Sequence, residues 1–245
     1  IQFYLFFELM LIPSYFLIAR WGYGDRDRIS FMYFMWTHVG ALALLAGILT
    51  VWYVTGTFDL PALVSAVIPQ PYRFWITITI LAGLLVKMAT FGVHIWLPHA
   101  HAEAPTPISA LLSPAMIGIG GYAIVRILMT LSPELIGAIS WQLSIWALIS
   151  MVYGGLMALV QDDIKRLMAY SSISQMGYIL LGIASVQVSG VSGSMFHYLS
   201  HGMGKGILFM VAGIIIVQAH GTRSISKLGG LARKMPVTAT AALIG

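Results

Sequence analysis

The chain has 245 residues, of which 59% are hydrophobic and only 9% charged, with a formal net charge of +5 and no cysteine. A soluble domain carries roughly a quarter charged residues, and a disordered segment needs low hydrophobicity, so neither class fits. Without cysteine there is no disulfide, no thiolate zinc site, no cysteine-ligated iron–sulfur cluster and no cysteine nucleophile. The apolar residues come in runs of about twenty, long enough to cross a hydrocarbon layer as helices, which makes this an integral membrane protein. Surplus Lys and Arg in such a chain is the usual positive-inside bias rather than a nucleic-acid footprint, so no nucleic-acid partner is expected.

In chain order, the first apolar span runs from about Gln2 to Arg20 and carries Glu8 and Pro13. A charged turn, Asp25-Arg26-Asp27-Arg28, leads to the second span at about Ile29–Val54, and a polar link with Pro61, Pro69 and Pro71 to the third at about Phe74–Leu97. The fourth covers about Ile108–Leu131, the fifth Gly137–Val160, the sixth Leu167–Val188 and the seventh Gly193–Ala219. An eighth opens at Met235-Pro236. The sequence starts at Ile1 and stops at Gly245, both inside apolar runs, with no signal-peptide pattern, so it reads as an internal piece of a longer protein.

Orientation follows from the cations. Arg20, Arg26, Arg28, Lys165, Arg166, Arg223, Lys227, Arg233 and Lys234 all fall in links that return to one face, against Arg73 and Arg126 on the other. The positive-inside rule places the loops with Arg26, Lys165 and Lys234 in the cytoplasm. Asp162-Asp163-Ile164-Lys165-Arg166 reads equally well as a solvated loop of this kind or as a helix-coupling element.

Two cations, Lys87 and Lys205, fall inside spans, where an ionisable group is costly and tends to have a partner and a task. A buried lysine balanced between loss of hydration and a nearby carboxylate takes up or releases a proton as its partner moves. Glu8 is the acid inside a span, roughly 18 Å of helix rise from Arg20, and is the natural partner for Lys87. His197, His201 and Lys205 stand at i, i+4 and i+8, on one helix face over roughly 12 Å, a spacing that suits steps of a proton path. The third span ends in His94-Ile95-Trp96-Leu97-Pro98-His99-Ala100-His101-Ala102-Glu103-Ala104-Pro105-Thr106-Pro107, where the prolines are expected to break the helix. His99 and His101, at alternate loop positions, read as solvated. There is no Gly-rich phosphate loop and no nucleophile elbow.

These motifs resemble a known family. Phe6-Phe7-Glu8-Leu9-Met10-Leu11-Ile12-Pro13 resembles the glutamate-bearing fifth helix of the M-type (chain 4) subunit of respiratory complex I. Val86-Lys87-Met88, followed by His94-x-Trp96-Leu97-Pro98-x-Ala100-His101-x-Glu103-Ala104-Pro105, resembles its lysine-bearing broken helix. Asp163-Ile164-Lys165-Arg166-Leu167-x-Ala169-Tyr170-Ser171-Ser172-x-Ser174-Gln175-x-Gly177 is similar to its cytoplasmic loop and following helix. The resemblance implies an all-α polytopic fold of two inverted five-helix repeats, each with a discontinuous helix. Residues 1–133 would be helices of the first repeat and 134–245 of the second, within one antiporter-like domain.

It further implies a proton-translocating subunit of a complex I-like NADH (or other donor):quinone oxidoreductase, with Glu8 and Lys87 as a coupled pair and His197, His201 and Lys205 continuing the path. The chain would hold no cofactor and no redox active site; iron–sulfur clusters, flavin and quinone would belong to partner subunits. Its partners would be other membrane subunits and the lipid bilayer of an energy-transducing membrane. A multisubunit sodium/proton antiporter and a membrane-bound hydrogenase use similar subunits, and a non-conducting scaffold is the alternative of another class. Two positions depart from the family pattern. Gly118 stands where a central relay lysine is usual, leaving room for a water or a dry gap. Ala89 stands where Pro commonly follows Lys-Met, so the helix break is expected to be shifted or milder.

Overall fold

The computed structural model describes residues 1–245 and contains helices joined by short links, with no strand. The helices are α1 (Gln2–Trp21), α2 (Arg26–Thr55), α3 (Leu60–Val64), α4 (Gln70–Lys87), α5 (Trp96–Glu103), α6 (Thr106–Leu131), α7 (Pro133–Ala138), α8 (Ser140–Leu159), α9 (Ile164–Ala184), α10 (Val188–Gln218), α11 (Leu231–Lys234) and α12 (Pro236–Ile244). Six of them, α1, α2, α6, α8, α9 and α10, are long and apolar enough to cross a membrane. The all-α polytopic architecture read from the sequence therefore holds. The expected third span, however, is split into α4 and α5.

The split lies elsewhere than the prolines suggested. Helix α4 stops at Lys87, and Ala89 takes a left-handed φ of 51° behind it. The Thr90 N–H bonds back to Leu85 O at 3.3 Å, closing the helix in a Schellman-type stop whose left-handed position is usually glycine. Gly92 follows with φ 89°. Far from being milder for lack of a proline, the break is complete and sits directly behind Lys87. Pro98 does not break anything: it occupies the first turn of α5, where its missing N–H costs no helical bond. The connecting residues are held by α8, whose Ser150 Oγ accepts from Phe91 N (3.0 Å) and whose Trp146 Nε1 donates to Phe91 O (2.8 Å).

Other prolines bend without breaking. Pro13 withholds a donor from the turn before it, and α1 kinks at Met10. Ser14 Oγ donates into that turn, 2.9 Å from Met10 O and 2.8 Å from Leu11 O, and so accepts from Tyr33 OH of α2 (2.8 Å). In α6, Pro114 lies in a π-helical turn (Leu112–Ile117), and a second such turn covers Ile124–Leu128. Widened turns of this kind absorb a lost backbone bond and recur near functional sites.

Packing follows membrane rules, with small residues where helices meet. Helix α2 buries Ser30, Tyr33, Thr37, Gly40, Ala41, Leu44, Gly47 and Val51 along one stripe. A Cβ at Gly40 would fall 2.8 Å from Val86 of α4, so only glycine permits this close an approach. Outward faces keep large apolar groups such as Phe6, Trp141 and Phe196 exposed, as lipid or neighbouring apolar subunits require. Among the mostly apolar buried side chains sit the few polar and ionisable ones considered next.

Candidate proton-translocation site

Lys87 ends α4 at the break and is 2% exposed. Its Nζ lies over the Phe7 ring, 4.7 Å from the centroid. Phe7 is adjacent in sequence to Glu8, so the lysine and the carboxylate expected to pair are brought to one region of the α1–α4 contact. They do not form an ion pair, because no Glu8–Lys87 contact falls within 4 Å. Instead Glu8 Oε2 is bonded to His38 Nδ1 of α2 at 2.9 Å, while Glu8 Oε1 is buried with no protein partner. The expected Glu8–Lys87 contact is therefore replaced by a Glu8–His38 contact.

The α10 pattern is realised on one face, as the spacing requires. His197 and His201 stack with centroids 6.5 Å apart. His197 Nε2 meets Gln175 Oε1 at 2.7 Å, and Lys205 Nζ donates to Ser171 Oγ (2.8 Å) and Met168 O (3.1 Å). Met168, Ser171 and Gln175 stand at i, i+3 and i+7 of α9, so one stripe of that helix meets both ends of the row. His201 and Lys205 are buried, and His201 Nε2 has no protein partner.

His101 is not the solvated loop residue expected from its Pro-rich setting. Helix α5 forms around it, buries it completely and stacks its ring on Phe209 of α10, with centroids 4.7 Å apart and planes at 17°. Both ring nitrogens lack a protein partner. Phe209 lies one turn beyond Lys205, so the second half of the broken helix abuts the ionisable face of α10. His99 is half-buried on the same short helix.

Lys165 likewise departs from the solvated-loop reading. It is fully buried, donates to Ala104 O and faces the Tyr23 ring 5.4 Å away. It completes an unusual set of partners at the end of α5, where a helix leaves carbonyls unsatisfied. Ala100 O accepts from Ala104 N (2.8 Å), and His101 O from Ser109 Oγ (3.3 Å). Ala102 O accepts from Arg223 Nη1 (2.5 Å), and Glu103 O from Tyr23 N (2.8 Å). Arg223 also pairs with Asp163 Oδ2 (3.3 Å), and Asp163 Oδ1 caps α9 by accepting from Lys165 N (2.8 Å) and Arg166 N (3.2 Å). Beside it Asp162 accepts from Ser224 Oγ (2.5 Å) and Ser226 N (2.8 Å), and these bonds hold its carboxyl below the ordinary range. Cations at a helix C-terminus are also favoured by the partial negative charge of its dipole there.

Gly118 encloses neither a water-sized gap nor an empty one. A Cβ there would overlap the Tyr198 ring, so the volume a relay lysine would use is filled by a phenol from α10.

A polytopic helical protein with one helix interrupted directly behind a buried lysine shares the discontinuous-helix architecture of transporter folds. Residues 1–245 match the transmembrane family model described as NADH:quinone oxidoreductase/Mrp antiporter, and the chain belongs to that family. It is 41% identical over 259 residues to the F(420)H(2) dehydrogenase subunit M of Methanosarcina mazei, covering 100% of this chain and 51% of that protein. Among solved structures it is similar to a chain of respiratory complex I from Thermus thermophilus with bound NADH, with a TM-score of 0.93 and 32% identity over 99% of this chain and 52% of that one. A chain of the Mrp complex from Dietzia sp. gives a TM-score of 0.90 and 30% identity, over 98% and 46% respectively. The chain thus spans about half the length of the curated relatives it matches.

Proposed function

We propose that the chain is part of a proton-translocating membrane subunit of a complex I-like oxidoreductase, moving protons through Glu8, Lys87, His197, His201 and Lys205. The observation that carries this reading is the position of Lys87, a buried lysine directly before the break between α4 and α5, with its Nζ over the ring of Phe7, the residue before Glu8. A charge placed there is costly, and a broken helix beside it exposes backbone dipoles that such folds use to handle ions. Glu8 Oε1, His101 Nδ1 and Nε2, and His201 Nε2 are buried polar atoms without protein partners, and groups of this kind in a protein interior are met by water. As Glu8 moves relative to Lys87, the proton occupancy of the lysine follows.

In this reading residues 1–133 and 134–245 belong to the two inverted repeats of one domain. Redox chemistry, with its flavin, iron–sulfur clusters and quinone, resides in partner subunits, and the chain itself supplies no redox site. The loops with Arg26, Lys165 and Lys234 face the cytoplasm, in keeping with their positive charge. The other membrane subunits of the assembly cover part of the exposed apolar surface. Similarity to the Mrp complex supports a second reading, a subunit of a multisubunit sodium/proton antiporter. The subunits that co-purify with the chain separate the two. In the assembled complex, Lys87→Met should abolish coupled proton transport while assembly survives; unchanged transport overturns the proposal.

A further inference from the structure

Glu8 has one basic group in contact, and the residue before it, Phe7, touches a second. The first is His38, whose Nδ1 is 2.9 Å from Glu8 Oε2 and whose ring is fixed by stacking on Phe34, with centroids 5.4 Å apart and planes at 11°. The second is Lys87, whose Nζ lies over the buried ring of Phe7. Glu8 Oε1 is the free acceptor of the carboxylate. Glu8 also sits two residues before the Met10 kink, at the end of the first half of α1. In this structure the carboxylate is bonded to His38, and Lys87 is the basic group left without it.

We propose that His38 is a third working member of the Glu8–Lys87 couple, and that the Glu8 carboxylate exchanges between the His38 imidazole and the Lys87 ammonium. The inference rests on the proton-path reading above. In one state a protonated His38 pairs with ionised Glu8 while Lys87 is neutral. In the other, Glu8 has turned to Lys87; the His38 Nδ1–H bond has broken, its proton has gone to a water, and the Lys87 nitrogen has taken a proton from a water on its own side. One proton leaves and one enters, so the trio carries zero net charge in both states. That economy matters in a bilayer, where an uncompensated charge costs several kcal/mol. A histidine suits the outer position because its two nitrogens can accept and donate in turn.

The test uses the assembled complex in sealed vesicles, comparing proton translocation with electron transfer for His38→Leu, His38→Gln, Glu8→Gln, Lys87→Met and the double variant His38→Leu/Glu8→Gln. Either histidine substitution should lower translocation by about tenfold or more at intact assembly, and His38→Leu should add almost nothing once Glu8 is already Gln, as expected for residues acting as one unit. Translocation at the wild-type level in both histidine variants overturns the proposal, as does an undiminished effect of His38→Leu in the Glu8→Gln background. The two levels of the argument fail separately. If Lys87→Met abolishes transport while the histidine variants behave as wild type, only the exchange fails; if Lys87→Met transports normally, the underlying path fails.

Discussion

Replacing Lys165 by Met keeps the length of the side chain and removes its charge, which isolates what the ammonium does at the end of α5. The Ala104 carbonyl loses its donor in a fully buried position, and leaving a buried acceptor unmet costs about 1–3 kcal/mol. Global stability should change less, because methionine also removes the cost of burying a charge, which amounts to several kcal/mol. The local effect has no such offset: opening the α5 end now hydrates Ala104 O without stranding a lysine. The opening free energy should therefore fall by about 1–3 kcal/mol, which is roughly a 5- to 150-fold faster exchange of protected amides. The amides to watch are Ala104, bonded to Ala100 O, and Ile108 and Ser109, both bonded to Pro105 O. Hydrogen exchange read by mass spectrometry on the intact complex reports them. Arg223→Gln should act in the same direction through Ala102 O. Unchanged protection in both variants would refute this role for Lys165 and Arg223 at the end of α5.

Two further outcomes follow from particular contacts. Gly118→Ala should destabilise the solubilised protein by about 1–3 kcal/mol, the usual cost of overpacking, since the new methyl meets the Tyr198 ring; an unshifted thermal transition would show that the ring is not held there. Asp162 has its carboxyl held low by the Ser224 hydroxyl and the Ser226 amide, so its contribution to stability is present above the ordinary Asp range and is lost as the pH falls through the lowered value. The Ser226 amide should therefore stay protected at neutral pH and loosen only below about pH 4. Protection that is already lost between neutral pH and that point would count against the link.

Much of this architecture was legible because a membrane imposes long apolar runs, and an ionisable residue inside one stands out. Glu8, Lys87 and the His197–His201–Lys205 row stand out this way, and the Pro-rich stretch after Lys87 signalled an interruption. Its position was not legible, because the stop is made by Ala89 in a left-handed conformation, which alanine does not advertise, while the conspicuous Pro98 sits where a helix tolerates it. The burial of Lys165 was hidden for another reason. Its carbonyl partner is 61 residues away, and that of Arg223 is 121 away, so nothing local could decide between a solvated loop and a helix-coupling element. His101 seemed solvated because its surroundings read as a loop, yet Phe209 stacks on it from α10. His38 left a fainter signal: a single histidine in an apolar run, 30 residues from the carboxylate it meets. Intramembrane histidines opposite a lone acid merit the same scrutiny as lysines.

The central claim, that the buried row conducts protons, is tested most directly by the ratio of protons translocated to electrons transferred in sealed vesicles of the assembled complex. For Lys87→Met and Lys205→Met the account predicts a ratio well below that of the unmodified complex, with the subunits still assembled. A ratio equal to the unmodified value in both variants would contradict it.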